Sequence, residues 1–200
     1  MIEPAAHPDD TAARLLAAAR DLFLSAGLAG FSMRKVAAAV GVSATAIYRH
    51  YDDKDALIFA VAEEGFRLFG EHLVAGQGAP DALSRLLAAG DGYLSFALEH
   101  TDYYRVIFMS DAPCMQRFTD AANTRFQPTF QFLVDRVGQC QAEGQIRPGD
   151  PIALAVGVWA HCHGLVSLWI GGHLSSLREQ ASFVAFFRAS VRDHLAGIRA

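Results

Sequence analysis

Residues 32–51 read SMRKVAAAVGVSATAIYRHY, and this stretch decides the fold. Met33, Val36, Ala37 and Val40 recur at helical spacing and predict one short amphipathic helix. Gly41 follows at once, where a residue of positive φ is needed to stop the helix and turn the chain. Val42 is placed to plug the turn, and Ser43 to cap a second helix expected over 44–50. Ala37 and Ile47 are expected to face each other across the turn. Two short helices joined in this way make the helix-turn-helix layout, whose second helix enters the DNA major groove.

The charges of the stretch agree with that reading. It holds Arg34, Lys35 and Arg49, no acid, and also Tyr48, His50 and Tyr51. Cations and hydroxyls of this kind grip phosphates. The bland alternative is a helical hairpin with a solvated basic face. The residues expected at a nucleic-acid surface are Ser32, Arg34, Lys35, Ser43, Ala44 and Thr45, then Ala46, Tyr48, Arg49, His50 and Lys54. Tyr48, His50 and Lys54 suit phosphates, and the methyls of Ala44, Thr45 and Ala46 suit thymine methyl groups. Lys54 opens a helix whose dipole prefers acids there, which suits a phosphate contact.

Flanking residues extend the pattern. Leu22, Phe23 and Gly27 precede it, Ser32, Val36, Ala37, Gly41, Val42 and Ser43 lie inside it, and Ile47, Tyr48, His50, Tyr51, Lys54 and Leu57 close it. Together they resemble the N-terminal pattern of the TetR family of bacterial transcriptional regulators. The resemblance covers about a quarter of the chain. It implies an operator-binding protein, and at Arg34 a side chain that reaches a guanine edge.

The composition sets outer bounds. The chain has 200 residues, 52% of them hydrophobic, which excludes a disordered chain and permits one or two domains with a real core. A net charge of −4 means that DNA contact must come from a local patch. Three cysteines (Cys114, Cys140, Cys162) without a CxxC pair fit a reducing compartment, and the cytoplasm is the expected location. Glu3, Asp9 and Asp10 argue against a signal peptide. From Pro151 to Leu177 no Asp, Glu, Lys or Arg occurs, a length that would span a membrane. Three histidines, four glycines and three serines within it favour a buried, intersubunit helix instead.

No stretch shows sustained period-two alternation, so the fold class expected is all-α, with about nine helices. Residues 1–9 read as a flexible arm, 10–56 as the DNA-binding domain and 57–200 as a ligand-binding and dimerisation domain. Helices are expected over 10–26, from Asp53 or Lys54 to 74, and over 80–99 and 103–109, the last capped by Thr101 and Asp102. A run over 111–143 divided by Pro128, and helices over 151–171 and 178–197, complete the set.

Residues 103–109, 144–151 and 159–165 resemble the effector domain called WHG in part of the same family. That resemblance implies dimerisation and ligand sensing. Aromatic and polar side chains compatible with a sensor are Tyr93, Phe96, His100, Tyr104, Arg105 and Phe108, with Met115, Phe118, Phe126, Phe130, Trp159 and His163. Any one aromatic among them has core filling as its alternative. His161, Cys162 and His163 are spaced wrongly for metal ligands on one helix face, and no metal or cofactor is expected. Neither GxSxG nor GxxxxGK[ST] occurs, so no enzyme is expected.

The dimer is expected through 151–171, where Gly157, Ala160 and Gly164 permit close approach, and through 178–197, with Phe183, Phe186, Phe187, Val191 and Leu195. The function expected is a repressor released from a palindromic operator by a small, largely apolar effector. A constitutive or activating regulator without a ligand, and a helical enzyme, are the alternatives.

Overall fold

The computed structural model describes residues 8–110, 127–177 and 179–200. Nine α-helices and no strand occur among them. The helices are α1 (Pro8–Gly30), α2 (Met33–Val40), α3 (Ala44–Ile47), α4 (Lys54–Val74), α5 (Ala82–Glu99), α6 (Thr101–Phe108), α7 (Gln127–Ala142), α8 (Pro151–Ile170) and α9 (Gln180–Ala196). A 3-10 turn, Ser175–Leu177, precedes α9. The described residues form two compact units, one drawn from 1–66 and 102–121 and the other from 67–101 and 122–200.

In the first unit the regular part of α1 ends where expected, since Gly27 takes the non-helical φ 61°, ψ −176°, and a short helical piece continues beyond this kink to Gly30. Leu15, Ala19 and Phe23 of α1 are buried, as are Phe31, Val36, Ala37, Ile47, Leu57, Ile58 and Val61. Ala26, just before the kink, is exposed. The α form of α3 ends at Ile47 rather than 50, and the next turn tightens through Arg49 N–H to Ala46 O (3.2 Å) and His50 N–H to Ile47 O (3.0 Å). Tightening of that sort supplies orphan carbonyls with partners at a helix end. Helix α6 belongs to this unit, with Phe108 edge-on to Phe66 at 6.1 Å.

Four helices of the second unit pack around one core. Helix α5 touches α7, α8 and α9, and α8 packs on both α7 and α9. Three separate side chains satisfy the start of α5. Asp81 accepts from Ser84 N–H (2.9 Å), Glu143 from Ala82 N–H (3.0 Å) and Gln145 from Leu83 N–H (2.8 Å). Hydrogen bonds from the Ser84 side chain and backbone hold the Asp81 carboxyl below its ordinary range. Thr101 does not cap α6 as expected. Its hydroxyl donates back to Ala97 O (2.8 Å), so it serves the end of α5. Asp150 caps α8 through Ile152 N–H (3.0 Å), with Pro151 at the first helical position. The segment 111–126, which includes most of the run expected before α7, lies outside the described residues; Pro128 falls in the first turn of α7, where a proline is tolerated.

Helix α8 is long and apolar enough to cross a membrane by length and composition, yet 28% of that span is buried within the chain. The buried helix expected from its composition is therefore buried on one side only. Leu154, Ala155, Val158, Cys162 and Val166 face inward, while Ile152, Val156, Trp159 and Leu168 are exposed. In α9 the expected interface residues Phe183, Phe187, Val191 and Leu195 turn out to be core, and Phe186 alone of that set is exposed. Phe183 stacks on Trp169 at 4.9 Å, which fixes the inward face of α9.

Helices α4 and α5 touch closely at Gly92. A Cβ there would lie 2.2 Å from His72 O and 2.8 Å from His72 C, backbone atoms that cannot swing aside. Gly92→Ala should therefore lower the unfolding free energy by about 1–3 kcal/mol, the range for overpacking. Gly138→Ala in α7, where a Cβ meets nothing within 4 Å, should raise it by about 0.5–1 kcal/mol. Urea titration of both variants checks the pair, and equal stabilities would contradict the packing described.

Candidate nucleic-acid interface

The tip of the first unit is built by local hydrogen bonds. Ser32 Oγ accepts from Lys35 N–H at 3.2 Å and opens α2. Gly41 adopts φ 77°, ψ 27°, and its N–H reaches Ala38 O (3.2 Å) while Val42 N–H reaches Ala37 O (3.0 Å). Those two bonds make a Schellman stop, which only glycine enters without steric cost. Of the two remaining carbonyls of the last turn, that of Val40 receives Arg14 from α1, Nη2 to O at 2.7 Å. Ser43 Oγ then accepts from Ala46 N–H (3.1 Å) and opens α3. Asp53 does the same for α4 through Ala56 N–H at 2.7 Å. Each such cap stabilises its helix by about 1 kcal/mol.

Because these caps and the apolar clamp hold the tip, the residues expected at DNA lie on the outside. Arg34, Lys35, Ser43, Ala44, Thr45, Tyr48, Arg49 and His50 are exposed. Ser32, Ala46 and Lys54 are half-buried. Val42, the expected plug, is half-buried as well. Lys35 has a local partner, since its ammonium donates to Gly30 O at 2.9 Å across the end of α1. Ser32 and Ser43 each accept one bond from the backbone, and a hydroxyl in that state still has its proton to donate.

The residues expected around an effector occur in both units. Tyr104, Arg105 and Phe108 belong to the first unit, where Tyr104 is fully buried and Arg105 exposed. Tyr93, Phe130, Trp159 and His163 come together in the second unit. Tyr93 Oη lies 3.0 Å from His163 Nδ1, Ser167 Oγ 3.3 Å from His163 Nε2, and the Trp159 ring 6.0 Å from those of both Phe130 and His163. Phe96 is core, 5.1 Å from Phe69, and His100 sits with it beside His72. Met115, Phe118 and Phe126 lie outside the described residues. Ser167 and Phe69, which complete these contacts, carried no signal in the sequence beyond helical spacing.

The His161, Cys162 and His163 run sends its side chains to separate partners. His161 Nε2 is 3.0 Å from Ser190 Oγ, and its ring stacks on His194 at 4.5 Å. Cys162 is buried and its thiol is pushed up to about 12 by desolvation.

Two family models match the chain. One, described as the N-terminal unit of bacterial regulatory proteins of the tetR family, matches residues 15–61. The other, described as a tetracyclin repressor-like C-terminal domain, matches residues 86–194, more than half of the chain. The chain belongs to the TetR family. It is a DNA-binding transcriptional regulator, and the second match spans all three segments that carry the effector-domain resemblance.

Solved structures agree. A protein of unknown function from Rhodococcus sp. RHA1 is 28% identical over the whole of both chains, with a TM-score of 0.77. A TetR family transcription regulator from Marinobacter aquaeolei VT8 is 18% identical over 96% of each chain, with a TM-score of 0.72. A protein from Saccharomonospora viridis, solved in complex with choline, is 18% identical over 96% of this chain and 99% of that one, with a TM-score of 0.73. No curated protein matches the chain.

Burial lowers the pKa of His163, and burial together with neighbouring His161 lowers that of His194. As pH falls, the unfolded chain takes up these protons first, at the ordinary value near 6.5. Stability is thus complete above that pH and declines as pH falls from there toward the lowered values. Thermal unfolding of this TetR-family protein between pH 7.5 and 5 should show a falling midpoint. His163→Gln should flatten part of the decline, and an unchanged slope would contradict the assignment.

Proposed function

We propose that this regulator is a homodimeric repressor that leaves a palindromic operator when a small, largely apolar molecule binds its second unit. The observation that carries the reading is the tip of the first unit, where capped helices expose Arg34, Thr45, Tyr48, Arg49 and His50 together. Tyr48, Arg49, His50 and Lys54 hold phosphates, Ser32 and Ser43 donate their hydroxyl protons, and Lys35 adds charge. Arg34, Ala44, Thr45 and Ala46 meet base edges. Residues at 44–47 form the N-terminal turn of the recognition helix, the part of such a helix that reads bases.

The exposed apolar side chains of α8 and α9 support a dimer. Ile152 is 54% exposed, Val156 46%, Leu168 44% and Phe186 41%. Gly157 and Ala160 lie open on the same helix, with space for a partner's backbone. Two-fold symmetry would present two reading helices about 34–36 Å apart, or a multiple of that. The effector is a small organic molecule received among the aromatic side chains of the second unit, a class that the choline complex of the Saccharomonospora viridis protein supports. Its work lies in the cytoplasm, where operator DNA is.

Selection of genomic fragments by the purified chain tests the whole reading. An enriched inverted repeat is expected, and the absence of any enriched sequence at low salt would overturn it. Individual roles are separable. Tyr48→Ala should weaken binding to every sequence and make the dependence of log K on log salt shallower by about one. Thr45→Ala should relax preference at one operator position while leaving the salt slope unchanged.

The dimer has its own test. Val156→Asp and Phe186→Asp alter side chains that are exposed within the subunit, so each chain should fold yet sediment as a monomer. A dimer that survives both changes would refute the α8 and α9 surface.

A further inference from the structure

We infer that His72, Glu99 and His100 form a binding site for a first-row divalent transition-metal ion. The three come from two helices. His72 lies in the last turn of α4, Glu99 is the last residue of α5, and His100 is the residue that ends α5, its own N–H donating to Phe96 O at 2.8 Å. One ligand atom from each of the three falls within 4.8 Å of the other two. Two imidazoles and a carboxylate are the donor set of zinc sites that keep a coordination position for water.

The state of His72 carries the argument. Its Nδ1 lies 2.9 Å from Leu68 O. A carbonyl only accepts, so Nδ1 bears the proton. In the neutral ring, Nε2 is then a lone pair, and it faces Glu99 Oε2 at 3.3 Å. A lone pair against a carboxylate oxygen at that separation repels. A cation between the two, either a proton on Nε2 or a metal ion, removes the repulsion. Metal-bound histidines characteristically donate their other ring N–H to a carbonyl in this way, which sets both tautomer and ring direction.

The surroundings favour a cation and hold the donors in place. The ends of α4 and α5, each the negative end of a helix dipole, meet here, and Glu99 occupies a last turn where the dipole disfavours an acid. The close backbone contact at Gly92 fixes α5 against His72. Phe96, fully buried, lies 5.8 Å from both imidazole rings, and the two rings stand nearly perpendicular at 5.2 Å. Zinc bonds of about 2.0–2.2 Å require the three donors to draw closer than they stand. The Glu99 side chain, 63% exposed, has the freedom to do so. Imidazole and carboxylate together select Zn, Co, Ni or Cu over Mg or Ca.

Spectroscopy on the tag-free, full-length chain tests this without DNA, so its outcome is separate from that of operator selection. After treatment with chelator, Co(II) is added as the probe and Zn(II) as competitor. One Co(II) per chain with a visible d–d absorption band is expected, bleached by Zn(II). His72→Gln and Glu99→Gln should each weaken Co(II) binding by at least about tenfold. His161→Gln, at a histidine outside the cluster, should bind as the parent does. Circular dichroism verifies that each variant is folded, and Glu99→Gln changes only an exposed side chain. No absorption at micromolar Co(II), or binding by folded Glu99→Gln and His72→Gln equal to that of the parent, overturns the site.

Discussion

The junction between α2 and α3 depends on how one helix end is closed. Helices of eight and four residues do not persist alone in water, because nucleation is too costly for so few hydrogen bonds. Here three of the last four carbonyls of α2 have partners. Gly41 and Val42 serve two, and Arg14 serves Val40 from a different helix. The turn direction, and with it the direction of α3, is set by those bonds and by Ile47 buried beneath them. Polar side chains on the outer face are thereby left for other duties, with Lys35 as the one that also braces α1.

The second unit solves a similar problem on a larger scale. The first three N–H groups of α5 receive side chains from residue 81 and from residues 143 and 145, so the loop after α7 is pinned to the start of α5. That pinning lets α8 begin at once at Asp150 and lie against α5 with one apolar side. Its other side stays apolar too. Within a single chain that side exposes surface at an apolar cost of about 25 cal/mol per Å², a cost that burial in the proposed dimer would remove. The same outward face explains why composition alone resembles a membrane span.

Much of the first unit was legible because its determinants are local. Gly41 and Ser43 sit at fixed offsets from the apolar repeat, and a cap acts over three residues, although the matching cap at Ser32 was not anticipated. The Arg14 bond was not legible, since it joins residues 26 apart and an arginine on an amphipathic helix has no distinguishing pattern. The end of α3 was overestimated because spacing does not separate an α turn from a tighter one. In α9 periodicity revealed apolar residues on adjacent stripes but not which stripe faces inward. Phe186 and Phe187 differ by about 100° of helix rotation, and only packing, Trp169 on Phe183, decides between them. The aromatic set expected around one effector falls in both units, and side-chain type says nothing about which neighbours a helix meets.

Charge placement joins the parts. The chain has 17 basic and 21 acidic residues, and three of the basic ones with no acid lie in residues 32–51. The other residues therefore hold 14 basic against 21 acidic. Near a polyanion such a chain is repelled in most orientations and attracted in one. An even spread of the same residues would give weaker steering, and a basic excess throughout would give tight binding without regard to sequence. Under the proposed function, concentrating the cations where Thr45 and its neighbours project would make the orientation that satisfies phosphates the same one that brings side chains to the bases. Under the proposed function a modest set of phosphate contacts would then suffice, and discrimination among sequences would fall to the short helix that Gly41 aims.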